Sequence, residues 1–564
     1  MKVKQLLINI LIFVLMLLMN LVGTAQVTNQ DLNVEETVEG SFNPVIKEAL
    51  KISSYPSIID STKKLPIAKY SFVEKKVNSS FQIEPITAAK MKGEPLIKLY
   101  RTHVKGGLGN YNTPLLDLSF NSLRSKEYLY SANYKHLSSS GSLNDTMVNS
   151  GYSRNNLNIF GKYFIDNYTF DGGFEYDRNV VNYYGYNSKL IDLSKDLTRQ
   201  RFNTFSGNAS FASHDMDSSQ INYDVALKYY NLRDLFDAKE NNLNLNISLN
   251  KLYGKEIFGV NFSNDYYYNT TALDTNYNNI LKLNPNVKSA GKNWQVKAGL
   301  LLFTQTSVTG TLVHFYPSVD FNYNIIDNII IPYVGIDGNV ERNSYKKMTD
   351  KNPFLNSFSY LENSRSNDFL KCKYYGGVRG SLSSAVSFNT NVSYHNVSNM
   401  AFFVNDNATQ LQNKFVLVYD DVKLTNWHGE LSYQKNEKLR FLAKADYYKY
   451  VLKELWFPWN KPTLELSFSG QYNLREKIVV KADVFYQNAR KGLNYYHNSD
   501  PIVKGPVPVN LKQYVDLNLA FEYRYTKRLS AFMNVNNLGA VKYVQWNNYP
   551  VQRFNLLAGF TYSF

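Results

Sequence analysis

Seven histidines, two adjacent aspartates and one glycine-rich stretch are the residues of this 564-residue chain whose types invite a chemical reading. His103, His136, His214, His314, His395, His428 and His497 are scattered, and no HExxH, paired-cysteine or GxSxG arrangement organises them. Asp420 and Asp421, in "YDDVKL", would point to opposite sides of a strand, so they do not form the carboxylate pair of an acid–base site. The stretch "KGGLGNY" at 105–111 matches a phosphate loop in composition only, because the Lys-Ser/Thr ending is missing. Within a strand, such glycines relieve curvature or admit a close neighbour. These residues assign no catalytic, cofactor-binding or metal-ligating position, and a non-enzymatic protein without a cofactor is expected.

The charged residues do form a pattern. In "KLRFLAKADYYKY", Arg440, Lys444 and Asp446 alternate with Leu439, Phe441, Ala443, Ala445 and Tyr447. In "YVDLNLAFEYRY", Asp516, Glu522 and Arg524 alternate with Val515, Leu517, Leu519, Phe521, Tyr523 and Tyr525. Lys481 and Asp483 lie in the same way on a strand near 477–490. A period of two makes one greasy face and one polar face. Charges packed between two sheets would be costly without partners, whereas charges facing a wet lumen cost little. All eight are therefore candidate lumen-lining residues, placed to line a path or to hold a folded loop.

The elements that would position them repeat along the chain. Alternating segments run from about residue 98 to the terminal "FNLLAGFTYSF" and number about 22. Very short connections (125–127, 166–167, 254–256, 327–328, 436–438, 475–477, 526–528) fall on one side, and longer ones, including 181–199, 342–367 and 491–510, on the other. This is the plan of an all-β, transmembrane antiparallel barrel, in which ring closure removes the exposed edge. Aromatics at 15% fit such a barrel, and Trp427, Trp456, Trp459 and Trp546 are expected in its aromatic belt. The proline-bearing "DPIVKGPVPVN" at 500–510 is expected to lie as a strap over the rim.

Residues 1–25 read as a signal peptide: Lys2 and Lys4, an apolar run over 6–19, then Gly23-Thr24-Ala25 for cleavage after Ala25. Residues 26–97 are polar or broken by Pro85 and Pro95, and are expected as a partly extended or disordered segment in the periplasm or at the barrel mouth. Residues 98–564 form the barrel, with no globular plug expected. Cys372 is the only cysteine, so no internal disulfide can form. The net charge of +15 is spread through the strands rather than gathered in a recognition module, so nucleic acid is not an expected partner.

Three stretches, "FQIEPITAAKMKGEPLIKLYRTHVKGGLGNYNTPLLDLSFNS" (81–122), "YVDLNLAFEYRYTKRLSAFMNVNNL" (514–538) and "WNNYPVQRFNLLAGFTYSF" (546–564), carry a family likeness. The chain resembles the plug-less, TonB-dependent-receptor-like outer-membrane β-barrels of Bacteroidota. The resemblance implies a 22-stranded, multi-pass barrel in the Gram-negative outer membrane. It also implies a C-terminal insertion signal, here Phe560, Tyr562 and Phe564, read by the barrel-assembly machinery. Outer-membrane lipid, lipopolysaccharide and protein partners in the outer membrane or periplasm are the expected surroundings. The leading expectation is an accessory or scaffold subunit of an outer-membrane complex for envelope protein assembly or secretion. A passive or gated channel for a polar solute, and a TonB-coupled receptor whose partner supplies the plug, are the alternatives. A ring this wide needs occlusion, by folded-in loops, by residues 26–97 or by another protein.

Overall fold

The computed structural model describes residues 99–564, apart from 142–148, 187–192, 216–219, 271–274, 309, 359–367, 409–410 and 497–504. The expected signal peptide and the 26–97 segment lie outside the described residues.

The chain opens with β1 (Thr102–Gly109), β2 (Thr113–Asn121), β3 (Tyr128–Ser139), β4 (Tyr152–Ile165), β5 (Tyr168–Asn182), β6 (Arg199–Ser213), β7 (Asn222–Arg233) and β8 (Lys239–Tyr253). It continues with β9 (Glu256–Thr270), β10 (Thr275–Ala290), β11 (Trp294–Ser307), β12 (Gly310–Tyr323), β13 (Ile331–Arg342), β14 (Asp368–Ser383), β15 (Val386–Asn405) and β16 (Phe415–Lys435). Then follow β17 (Leu439–Leu452), β18 (Leu464–Leu474), β19 (Ile478–Gln487), β20 (Arg490–Tyr496), β21 (Gly505–Leu511), β22 (Tyr514–Arg524), β23 (Leu529–Asn536), β24 (Val544–Trp546), β25 (Tyr549–Pro550) and β26 (Asn555–Ser563).

Twenty-two of these make one antiparallel sheet, and β1 pairs with both β2 and β26, which closes the ring. At the seam the chain end is bonded in: Phe564 donates its N–H to Thr102 O (2.9 Å), and Arg101 donates to Phe564 O (3.0 Å). Gly107 stands opposite Gly559 there, and side chains at either position would run into neighbouring atoms, so Gly107 and likewise Gly109 of "KGGLGNY" serve close approach, whereas Gly106 faces open space.

Two details depart from the sequence expectation. The longer-loop side also carries short links, at 110–112 and around 308–309. The proline-bearing 505–511 is not a free strap but β21, paired with β20 in a hairpin of the long-loop side, with Pro506 opposite Tyr495 and Pro508 opposite Leu493. The remainder of the expected strap, up to residue 504, lies outside the described residues.

One join is short. β12 and β13 pair only over Val319–Asn322 against Tyr333–Ile336. Above that point β13 stays paired with β14 and leans over the inner side of β10 and β11, where Val340 packs with Ile280 and Phe303. Lys282 Nζ donates to Asn339 Oδ1 (3.2 Å), and the Arg342 guanidinium lies over the Tyr267 ring.

Candidate functional site

Sheet register decides which residues look into the ring. Leu232 packs in a core shared by strands on opposite sides of the barrel, a contact available only through the lumen. From Leu232 the partners run Thr204, Asp177, Asn156, Lys135, Asp117, Lys105, Thr561, Ser530 and Arg524, all on that same inward face. The walk continues to the other seven charged candidates. Glu522 and Asp516 share Arg524's face of β22, Asp516 stands opposite Phe485, and Lys481 and Asp483 share Phe485's face of β19. Lys481 stands opposite Gln471, and Gln471 opposite Arg440, whose face of β17 also carries Lys444 and Asp446.

The eight do not converge on a point. Each of six has a neighbour of its own. Lys444 Nζ lies 3.0 Å from Glu430, and Asp446 lies 2.9 Å from His428 Nδ1. Ser469 donates to Asp483 (2.6 Å), Tyr543 OH donates to Asp516 (2.8 Å), and Arg524 Nε donates to Glu522 (2.9 Å). Arg440 and Lys481 stand on either side of Gln471. Opposite charges are thus spread around one wet wall. Reversing one should alter local ion preference: Lys444→Glu puts a second carboxylate beside Glu430, and the reversal potential under a salt gradient should move towards greater cation preference. An unchanged reversal potential would show that this position lies off the conduction path.

Amides dominate another stretch of the wall. Asn242, Asn244, Asn246, Ser248 and Asn250 of β8 point inward by the same register. Asn244 donates to Asp265 (2.5 Å), and Ser248 donates to Asn261 (2.8 Å).

The mouth on the long-loop side is filled by protein. Val181, Phe202 and Leu232 from β5–β7 meet Phe403, Phe415 and Leu417 from β15–β16, with Tyr345, Met348, Leu355 and Tyr549 of the loops between them. Phe354 stacks on Tyr549 at 3.8 Å between centroids, and Trp546 meets Phe403 edge-on at 5.0 Å. Fully burying side chains of this size contributes roughly 1.5–3 kcal/mol each, so the loops carry a small core of their own.

Buried polar groups latch that core. The Asp234 carboxylate accepts from Gln200 Nε2 (3.1 Å), Tyr345 OH (2.8 Å), Ser357 Oγ, and the N–H groups of Phe236 (2.9 Å) and Ala238 (2.8 Å). Glu240 accepts Tyr230 OH (2.9 Å) and the N–H groups of Tyr345 (2.7 Å) and Lys346 (2.9 Å), at the start of the short helix Tyr345–Lys351 that Ser344 caps. Tyr183 OH donates to Leu355 O (3.1 Å), Asn413 donates to Tyr183 O (3.0 Å), and Tyr549 OH donates to Asn413 O. Asn547 reaches Asn405 (2.8 Å) and Asn494 (2.5 Å), while Arg490 donates to Val544 O (2.8 Å) and Gln545 O (2.9 Å). Burial pushes the pKa of Lys414 down, against Asp406 and Asp234, as its ammonium sits over the rings of Tyr183 and Phe236.

Sequence reading missed these latch residues. A buried Asp234 in "LRDLFDAKE" carries no local signal, because its donors come from separate loops and strands. The tryptophan belt also needs correction. Trp427 is outward and 5.4 Å from Tyr447, as a belt residue would be, but Trp546 belongs to the mouth core and Trp459 is buried. Trp456 is exposed on the loop after β17. Asp420 and Asp421 hold that loop: Asp420 accepts the N–H groups of Lys453, Glu454 and Leu455, and Asp421 pairs with Lys453 Nζ (2.7 Å). Phe560, Tyr562 and Phe564 stand outward on the last strand, with the rings of Tyr562 and Phe564 4.7 Å apart. Among the described residues no group of three or more His, Cys, Asp or Glu is placed to hold a metal ion.

A closed 22-stranded antiparallel ring with a greasy outer face and a charged, amide-rich inner one defines a multi-pass β-barrel of the outer membrane. Its fold resembles that of several outer-membrane receptors and transporters of known structure. The siderophore receptor PirA from Acinetobacter baumannii matches with a TM-score of 0.63 at 11% identity, over 84% of this chain and 81% of that one. The FrpB iron transporter from Neisseria meningitidis matches with a TM-score of 0.64 at 9% identity, over 83% and 82%. The pyoverdine outer membrane receptor FpvA from Pseudomonas aeruginosa matches with a TM-score of 0.60 at 12% identity, over 84% and 79%. No family model and no curated protein matches the chain. The barrel's surroundings are the lipid and lipopolysaccharide of the outer membrane.

Proposed function

We propose that this protein is a gated outer-membrane receptor-channel for a polar solute, with the loop core at its mouth as the gate. The observation that carries the reading is a polar inner wall ending beneath a closure that joins opposite sides of the ring. A scaffold has no need of a charged and amide-lined lumen, nor of a closure held by loop-to-loop latches. The likeness in fold to siderophore receptors and an iron transporter supports uptake as the direction of travel. The lumenal charges and the asparagines of β8–β10 would offer a passing ligand alternating hydrogen-bond donors and acceptors. Energy coupling, where present, would come from a periplasmic or inner-membrane partner, and the insertion role of Phe560, Tyr562 and Phe564 belongs to the same proposal.

Proteoliposome swelling with neutral sugars of graded size, run beside native purification from solubilised outer membranes, tests it. Size-limited entry by the purified barrel supports the channel. A barrel silent for every solute and always recovered with fixed, near-equal partners would replace it with the accessory-subunit reading.

A further inference from the structure

The outward face of β3–β8 changes character within two residues along β3–β6 and within four along β7 and β8. One row, traced by register, runs Tyr134, Leu157, Tyr176 and Phe205, an apolar and aromatic line across β3–β6. The Tyr176 and Phe205 rings are 4.7 Å apart. The next row towards the long-loop side runs His136, Asn155, Arg178, Asn203, Arg233 and Lys239. Beyond it, Arg201 stands opposite Val180 and Arg199 opposite Asn182. The direction of this face is set by exposed Phe174, Phe205, Tyr229 and Leu243, which belong to the apolar band.

Aromatic residues mark the edge of the lipid-facing band in such barrels. The cationic row therefore lies at the headgroup level of the outer leaflet. Every acid in β5–β8, namely Asp171, Glu175, Asp177, Asp224 and Glu240, is on the inward face by register. The loop acids Asp196 and Asp237 make no ion pair with the cluster, and neither does any other described residue. Arg233 Nε bonds only to an amide, Asn231 Oδ1 (3.1 Å), and Arg201 Nε is buried without a hydrogen-bond partner. So many like charges without a counter-charge repel one another, unless an anion sits among them. The outward cations of β16 and β17, Lys423 and Lys449, differ in having Asp421 on the same face.

We infer that the outer end of β5–β8 is a docking surface for the phosphorylated glycolipid of the outer leaflet. Guanidinium forks at Arg178, Arg201 and Arg233 hold its phosphates bidentately. The amides of Asn155, Asn203 and Asn241 meet its sugar hydroxyls, and its acyl chains lie down the Leu157–Phe205 band. Phosphate is the shared chemistry of a lipid headgroup and a free ion, but the adjoining apolar band selects the lipid.

The test is native mass spectrometry of the full-length protein in mild detergent with diphosphoryl lipid A, dephosphorylated lipid A and inorganic phosphate as probes. The combined variant R178Q/R201Q/R233Q should lose lipid A binding by tenfold or more, while K423Q/K449Q stays near wild type. Dephosphorylated lipid A should bind as weakly to wild type as lipid A does to the arginine variant, and millimolar phosphate should not displace lipid A. Equal binding by the arginine variant, equal loss in the lysine variant, or indifference to dephosphorylation would overturn the inference. Displacement by phosphate alone would overturn the lipid assignment. Heat-modifiable migration reports folding, and R178K/R201K/R233K carries the test if the glutamine variant does not fold. Keeping the charge but losing the fork, it should bind less than wild type, and unchanged affinity would sink the bidentate assignment.

Discussion

Asp234→Ala should turn a barrel that opens rarely into one that conducts readily. Asp234 is buried and accepts hydrogen bonds from the strand residue Gln200, from Tyr345 and Ser357 of the loop after β13, and from two N–H groups of its own turn. Removing the carboxylate leaves Ser357 Oγ and the N–H groups of Phe236 and Ala238 without that acceptor, at a cost of about 1–3 kcal/mol for each that water cannot reach, while Gln200 and Tyr345 keep Ser357 Oγ. The lowest-cost relief is for the loop to lift and expose them to water, because the loop core is small and Asp234 gathers several of its latches. The barrel itself is not touched, since Asp234 lies beyond the end of β7 and outside the ladder. Planar-bilayer recordings should then show open events in the variant at least tenfold more often than in wild type, with heat-modifiable migration unchanged. Tyr549→Ala approaches the same gate through packing. It empties the place stacked against Phe354 and removes the bond to Asn413, with an expected loss of about 3–5 kcal/mol from the closure. If both variants fold and neither conducts, the loop core is not the gate.

Gly559→Ala should prevent the ring from closing. A Cβ at 559 would lie 2.0 Å from Gly106 O and 2.5 Å from Gly107 Cα. Both are backbone atoms, so no rotamer change relieves the clash, and the β1–β26 ladder must part. Opening that ladder leaves unpaired N–H and C=O groups on two strands in the hydrocarbon, where each costs several kcal/mol. The expected result is a fall of tenfold or more in the heat-modifiable, protease-resistant barrel recovered from outer membranes. Gly161→Ala on β4, where a Cβ meets nothing within 4 Å, should leave the yield unchanged. Normal assembly of the Gly559 variant would mean that the seam is looser than its glycines imply.

Much of the barrel was legible in the chain, and the reason is local. A strand in a membrane barrel must put apolar atoms outward and tolerate polar ones inward at every second residue, so "LELSFSGQYNL" and "KLRFLAKADYYKY" state their own faces. Register carries the inward assignment from Arg440 to Arg524 without a break. The turn residues were partly readable: Asp166, Asn328 and Asn436 adopt positive φ in the tight connections, as their types allow, while Arg475 and Glu476 do so with no such local signal. What escaped was the mouth. Trp459 and Trp546 looked like belt residues because belt and loop core select the same side chain, and only packing separates them. The stretch 500–510 looked like a strap because prolines discourage central strands, whereas the two-stranded hairpin that includes 505–511 tolerates them at its edges.

The sequence by itself determined the class of protein, the number of strands to within its reading, the two faces of the wall and the charges on the inner one. Each of these follows from period, turn chemistry and the cost of burying a charge, all of which act between residues near in the chain. Only the tertiary structure decided that the loops after β5, β7, β13, β15, β19 and β23 meet in one latched core, and that Arg178, Arg201 and Arg233 stand together on the outside. Those facts rest on contacts between residues far apart in the chain, such as Tyr183 with Leu355 and Arg490 with Val544, whose pairing no local pattern encodes.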